Sequence, residues 1–355
     1  MALPAALAQG LRLPLIAAPM LRVSGPELVA AACCAGVIGS FPTVNARTPQ
    51  QLDDWLTRIA EQRARVDGPT APPCPNLIMR RDPAVLAEDT QVLVRHRVQL
   101  VIASVGSPAA VIGPLHDVGC QVFADVASLR HAEKALQAGA DGLVLLTAGA
   151  GGQTGWVNGF SFVRELRRIY DGPLVLAGGV HDGAALWAAR VLGCDLGLMG
   201  TRFIATAESM AADDYKRMLV ASRIDDVMLT RAFTGLDTNM LRPSIVAAGL
   251  DPAALQATTP EQARELFGEY GKSGRETPRR WVDVWSAGHT VSAVDAVRPV
   301  VELVDLIAAE YAAAQRETAA LLDAAPRPSP PPTRSRPGPY DASQRSGGGP
   351  TVPNA

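Results

Sequence analysis

From residue 13 to residue 203 the chain alternates short aliphatic or β-branched runs with amphipathic stretches of ten to fifteen residues. The apolar runs are LPLIAAP (13–19), VIGSFP (37–42), PNLIM (75–79), LVIASVG (100–106), QVFADV (121–126), GLVLLTA (142–148), PLVLAGGV (173–180) and LGLMGTRF (196–203). Each is too short and too continuously apolar for an amphipathic helix, so each predicts a strand buried on both faces. The stretches between them, such as TPQQLDDWLTRIAEQRA (48–64) and SLRHAEKALQAGA (128–140), have helical spacing, a Thr or Ser start and often a Gly stop. Eight β/α units of this kind predict an α/β fold in which a parallel sheet closes as a (β/α)8 TIM barrel. A doubly wound open sheet is the competing architecture. It usually carries GxGxxG after its first strand, whereas this first strand ends in APM (18–20).

The pattern changes after Phe203. Helical spacing dominates residues 206–290, interrupted by FTGLDTNMLRPS (233–244) and YGKSGRETPRR (270–280), and a strong helix follows within 296–322. The expected division is a barrel over 1–205, a smaller, mainly helical substrate or lid domain over 206–290, and a C-terminal helix returning to the barrel over 291–322. The Pro/Gly/Ser-rich stretch 323–355 lacks aliphatic clusters and is expected to be a disordered tail.

Composition narrows the function. A hydrophobic content of 48% sustains a full core, and a net charge of −2 with interspersed signs argues against nucleic acid or an anionic membrane as partner. Small molecules are the expected ligands. Cys33, Cys34, Cys74, Cys120 and Cys194 are odd in number and lack CxxC spacing, which argues for buried thiols in a reducing cytoplasm rather than for disulfides or a metal site. No apolar run approaches the roughly 18 residues of a membrane span.

Barrel active sites lie at the C-terminal ends of the strands, with phosphate commonly held by the loops after strands seven and eight. Those loops are Gly178, Gly179 and Val180, then Met199, Gly200 and Thr201. Glycines there let backbone N–H groups face a phosphate, and Thr201 adds a hydroxyl. One phosphate site without a dinucleotide fingerprint points to a mononucleotide cofactor.

The ordered set APM, PNL (75–77), the glycine loop GAGGQTG (149–155), AGGV (177–180), MGTRF (199–203) and WSAG (285–288) resembles the nitronate monooxygenase family, once called 2-nitropropane dioxygenases, over about residues 13–305. The resemblance implies FMN as cofactor and oxidation of alkyl nitronates with O2 to carbonyl compounds and nitrogen oxyanion. It also implies that Met20 lies against the flavin ring, that Asn76 and Gly151 contact the flavin, and that Gly179 with Leu198, Met199, Gly200 and Thr201 holds the phosphate.

The sixth loop departs from the family, whose usual sequence is EAGGH. Gln153 stands where the catalytic histidine is expected, and Gly149 replaces the acidic residue. An amide takes no proton near neutral pH but still donates and accepts hydrogen bonds. A neutral nitroalkane must lose a carbon-bound proton before oxidation, and a nitronate has already lost it. The substitution is therefore expected to harm nitroalkanes far more than nitronates.

His289, in WSAGH, is the alternative base, while His96, His116, His131 and His181 are expected away from the reacting centre. Asp125 ends the fifth strand, facing the mouth or capping the next helix; Arg231, Asn239 and Arg242 are candidates for meeting an anionic substrate. Two other functions compete: an NAD(P)H-dependent reductase like the related FMN-type enoyl-acyl-carrier-protein reductases, and a flavin-binding protein that has lost its base.

Overall fold

The protein's structure, a computed structural model, describes residues 3–267 and 278–324. Eight parallel strands close a ring: β1 (Leu15–Ala17), β2 (Ile38–Pro42), β3 (Pro73–Ile78), β4 (Leu100–Ser104), β5 (Gln121–Val126), β6 (Gly142–Leu146), β8 (Leu174–Ala177) and β9 (Leu196–Met199), with β9 paired to β1. All eight predicted strands are present in a (β/α)8 barrel. Most end where the sequence turns to Gly, Pro or Ser, β3 ends at Met79–Arg80–Arg81, and the run at 196–203 stops at Met199 because Thr201–Ile204 is helical.

Alternation along the strands builds two shells. Ile16, Ile38, Leu100, Phe123, Val144 and Val175 fill the barrel interior, and Leu7, from the helix Ala5–Ala8, belongs to the same cluster. Outward residues such as Leu15, Leu143 and Leu174 pack with residues of the surrounding helices. Several helices begin as their sequences predict. Thr48 Oγ1 accepts from Gln51 N at 3.1 Å, and Ser128 Oγ accepts from His131 N at 3.2 Å.

Residues 206–290 hold the expected helices, including Asp213–Ala221, Arg242–Ala247 and Pro260–Phe267. They also hold a hairpin that helical spacing concealed: β10 (Val227–Thr230) pairs antiparallel with β11 (Thr238–Leu241), and Arg231 and Asp237 bridge its turn at 2.7 Å. β11 pairs in turn with β7 (Gly152–Gln153), inside the glycine loop. Residues up to Gln315 form one compact unit, so the division at 205/206 marks a change of topology within it. The last helix runs Val300–Ala324; the remainder of the tail predicted over 323–355 lies outside the described residues. No helix among the described residues is long and apolar enough to cross a membrane.

Candidate active site

A cavity of about 460 Å³ opens at the C-terminal ends of the strands, in the size range of small-molecule and cofactor sites. Its floor comes from β3–β6, one wall from the loops after β1, β8 and β9, and its cover from Tyr215, Leu236, Trp281 and the segment 285–288. The glycine loop is clamped between barrel and cover. Its two-residue strand is zipped to β11, Asn239 Nδ2 donates to Ala150 O at 2.7 Å, and His289 N donates to Gly149 O at 3.0 Å.

That clamp explains the glycines. A Cβ at Gly151 would lie 2.7 Å from Gly288 N, so the loop and the returning segment meet backbone to backbone. Gly149 has φ +91°, and its missing Cβ would lie 2.8 Å from His289 Nδ1. Left-handed backbone and an occupied space together exclude the acidic side chain usual in the family.

Gln153 lines the cavity, half-buried, on β7. His289 does not: Gly288 and Thr290 line the cavity, but the imidazole is exposed and packs against Gly149. Segment 287–288 presents its backbone to the cavity, while the next side chain, His289, stands outside the lining beside Gly149. No histidine among the described residues lines the cavity.

Asn76 is buried on the floor. Its Nδ2 donates to Ile102 O at 3.0 Å and Ser104 Oγ at 2.7 Å. Because Ile102 O can only accept, the amide orientation is fixed and Oδ1 is left to receive a ligand's N–H. Met20 lines the cavity beside Gly200, with its backbone already committed: N–H to Ser24 Oγ at 3.1 Å, carbonyl to Asn45 Nδ2 at 2.9 Å.

Across the mouth, Gly179 has φ +79° and nothing within 4 Å of where a Cβ would stand, which is an open backbone cradle that only glycine adopts without strain. Gly178 is needed for a different reason, since a Cβ there would lie 2.5 Å from Thr147 Oγ1. Leu198, Gly200 and Thr201 line the same wall; Thr201 Oγ1 accepts from Gly288 N at 3.0 Å and keeps its own O–H to donate. Met199 is the exception. Strand alternation sends its side chain outward into the core, 1% exposed, while its carbonyl accepts from Ala18 N at 2.9 Å. Its side chain therefore belongs to the core, and only its backbone faces this wall. The size of the cavity, the open cradle at Gly179 and the oriented amide of Asn76 fit a flavin.

Sequence reasoning left Asp125 undecided. Ser128 itself caps the helix after β5, which frees Asp125 to line the cavity. Burial pushes its carboxyl up from 3.8 to about 6, against the opposing pull of hydrogen bonds from Ser104 and from Val105 N–H, the latter at 3.3 Å. Val105 is β-branched yet has φ +59°. Such a conformation costs on the order of 1–3 kcal/mol and clusters at functional sites; here it aims an N–H at the carboxylate. Arg231 is paired with Asp237, Asn239 holds the loop and Arg242 is exposed, and none of the three lines the cavity. Tyr215 went unnoticed in the sequence: it stacks on Trp285 at 5.0 Å and donates from its hydroxyl to Ser286 O, fixing the returning segment.

Residues 75–310, well over half of the chain, match the family model described as nitronate monooxygenase. The chain is 29% identical over 294 residues to a nitronate monooxygenase of Paraburkholderia phytofirmans, covering 70% of this chain and 79% of that protein. It is 27% identical over 240 residues to a Mycobacterium tuberculosis protein named as a 5-hydroxy-7a-methyl-1-oxo-octahydro-1H-indene-4-carboxyl-CoA dehydrogenase, covering 67% and 65%. FabK from Thermotoga maritima superposes with a TM-score of 0.70 at 26% identity, over 88% of this chain and 96% of that one. Nitroalkane oxidase from Streptomyces ansochromogenes superposes with a TM-score of 0.68 at 23% identity, over 87% and 98%, and shows the shared fold. By fold, site and sequence, the chain belongs to the nitronate monooxygenase family of flavin-dependent oxidoreductases.

Proposed function

We propose that the protein is an FMN-dependent nitronate monooxygenase, oxidising alkyl nitronates with O2 to carbonyl compounds and nitrogen oxyanion. The observation that carries this reading is a cavity with a flavin-sized bed, a glutamine where the family has its base, and no histidine among the described lining residues. Gly179, Gly200 and Thr201 would hold the phosphate, Met20 and Gly151 would flank the ring system, and Asn76 Oδ1 would accept from a ring N–H. A bound flavin supplies the electron acceptor that connects substrate oxidation to O2. Gln153 offers an N–H to an anionic nitro oxygen and so orients a nitronate, but removes no proton.

The test is turnover of a separately prepared alkyl nitronate against its parent nitroalkane, before the two interconvert. Nitronate should be oxidised with O2 uptake and the nitroalkane much more slowly; equal efficiency with both would remove the reading. A reductase reading draws on the FabK likeness. It predicts rapid anaerobic bleaching of the flavin by NADH or NADPH.

A further inference from the structure

Three adjacent strands carry a polar seam across an otherwise apolar floor. Asn76 on β3, Ser104 on β4 and Asp125 on β5 line the cavity among Ile78, Ile102 and Val144. Asn76 Nδ2 donates to Ser104 Oγ at 2.7 Å, which leaves the single O–H of Ser104 to donate to the Asp125 carboxyl. Val105 N–H, at 3.3 Å, is a second donor to that carboxyl. The shared hydroxyl keeps the amide of Asn76 and the carboxyl of Asp125 two hydrogen bonds apart, within reach of the polar end of one ring system. On the β6 side the neighbour in register is Val144, which offers no polar side chain. The other ionisable groups on the described lining are Arg80, Arg264, Arg280 and Tyr215, and none of them perturbs Asp125. The carboxyl therefore faces the cavity with two donors and no counter-charge. An ionised carboxylate covered by a ligand there would be a buried, unpaired charge, which is relieved by taking a proton.

The chemistry of the ligand decides what that proton does. The ring system of an oxidised flavin has a single N–H; the rest of its polar end, two carbonyl oxygens and two ring nitrogens, only accepts. Asn76 Oδ1 is fixed as an acceptor and takes the N–H, so the ring atom opposite Asp125 is an acceptor. We propose that Asp125 binds the flavin as a neutral acid, donating its carboxyl proton to an acceptor atom of the ring system beside the Asn76 amide. The inference rests on the flavin reading of the cavity and is independent of nitronate chemistry. Burial already raises this carboxyl from 3.8 to about 6, and a bound acceptor raises it further. Flavin binding therefore takes up a proton at neutral pH. Affinity is full below about pH 6 and falls as pH rises through 6 toward the higher value in the complex.

Two substitutions separate donation from mere burial. Asp125→Asn keeps an oxygen for Ser104 and Val105 and turns its NH2 toward the ring, so it donates at every pH. Asp125→Leu donates at none; Asp125→Ala, equally without a donor, takes its place if the larger side chain unfolds the protein.

The test is the Kd of FMN, read by recovery of flavin fluorescence on dilution of the loaded full-length protein, from about pH 5 to about pH 8.5 in wild type and both variants. The phosphate of FMN also titrates at about 6, so the readout is the ratio of wild type to Asp125→Asn, in which that titration cancels. The ratio of Kd should be flat below about pH 6 and rise by up to about tenfold per pH unit above it. Asp125→Leu should hold FMN about three- to tenfold less tightly than Asp125→Asn. A ratio that stays flat throughout overturns the proposal, and so does one that falls with pH, because an ionised carboxylate would then be accepting an N–H. Asp125→Leu binding as tightly as Asp125→Asn also overturns it, since the carboxyl would then be covered without donating. Failure of all three proteins to hold FMN at any pH would remove the flavin reading itself, an outcome distinct from tight binding without pH dependence.

Discussion

Asp125→Asn should stabilise the flavin-free protein, and should do so only above the acid range. The Asp125 carboxyl is raised from 3.8 to about 6 by burial. The folded state therefore binds this proton more tightly than the unfolded chain does. Asp125 favours the fold fully below about pH 4, and that contribution is lost as pH rises through about 6. A shift of about two units, at 1.36 kcal/mol each, sets the cost of the buried charge at about 3 kcal/mol at neutral pH. Asparagine keeps an acceptor for Val105 N–H and the Ser104 hydroxyl, carries no charge, and gives back part of the gain through its misplaced NH2. The expected gain is about 1–3 kcal/mol at pH 7.5 and close to zero at pH 4. For a compact unit of this size that corresponds to roughly 2–5 °C in Tm. Thermal melts of wild type and variant, both stripped of flavin, at pH 4 and 7.5 read it out. A variant no more stable at pH 7.5, or equally stabilised at both pH values, would show that the carboxylate is not held against its preference.

Further perturbations separate the parts of the site. Gly179→Asp places a carboxylate and a strained left-handed residue in the cradle, costing about 1–2 kcal/mol from backbone alone; flavin occupancy should collapse while circular dichroism stays unchanged. Gln153→His should raise the nitroalkane rate by up to about 10²-fold and leave the nitronate rate nearly constant, with the gain limited because Gly149 leaves no acidic side chain to orient the ring. Asn239→Ala removes the donor to Ala150 O and should loosen the glycine loop. Its amides should exchange faster with solvent, and stability should fall by about 1–2 kcal/mol as a buried carbonyl loses its partner.

The barrel was legible because the strands are continuous apolar runs alternating with helical stretches, eight in number, and the first ends in APM rather than in a dinucleotide fingerprint. The glycines of the mouth were legible in AGGV, and the structure gives Gly179 a left-handed backbone that other residues do not adopt freely. Side-chain direction is what local pattern does not carry: Met199 in MGTRF points outward by strand alternation, and His289 in WSAGH stands outside the cavity lining. Asp125 had two local uses at its position, and the choice fell to Ser128, which caps the helix itself. Long-range placement hid the rest: nothing near Asn239 announces Ala150, and nothing near Tyr215 announces Trp285. The β10–β11 hairpin escaped because its strands have four residues each and lie among helical spacing.

The central claim, that this cavity oxidises nitronates on a bound FMN, is tested most directly by mixing the flavin-loaded protein anaerobically with a preformed alkyl nitronate and, separately, with NADH and NADPH, then admitting O2. The account predicts flavin reduction by the nitronate, with carbonyl product and O2 uptake on aeration, and slow or no reduction by either nicotinamide. Rapid bleaching by NADH or NADPH with an inert nitronate would contradict it.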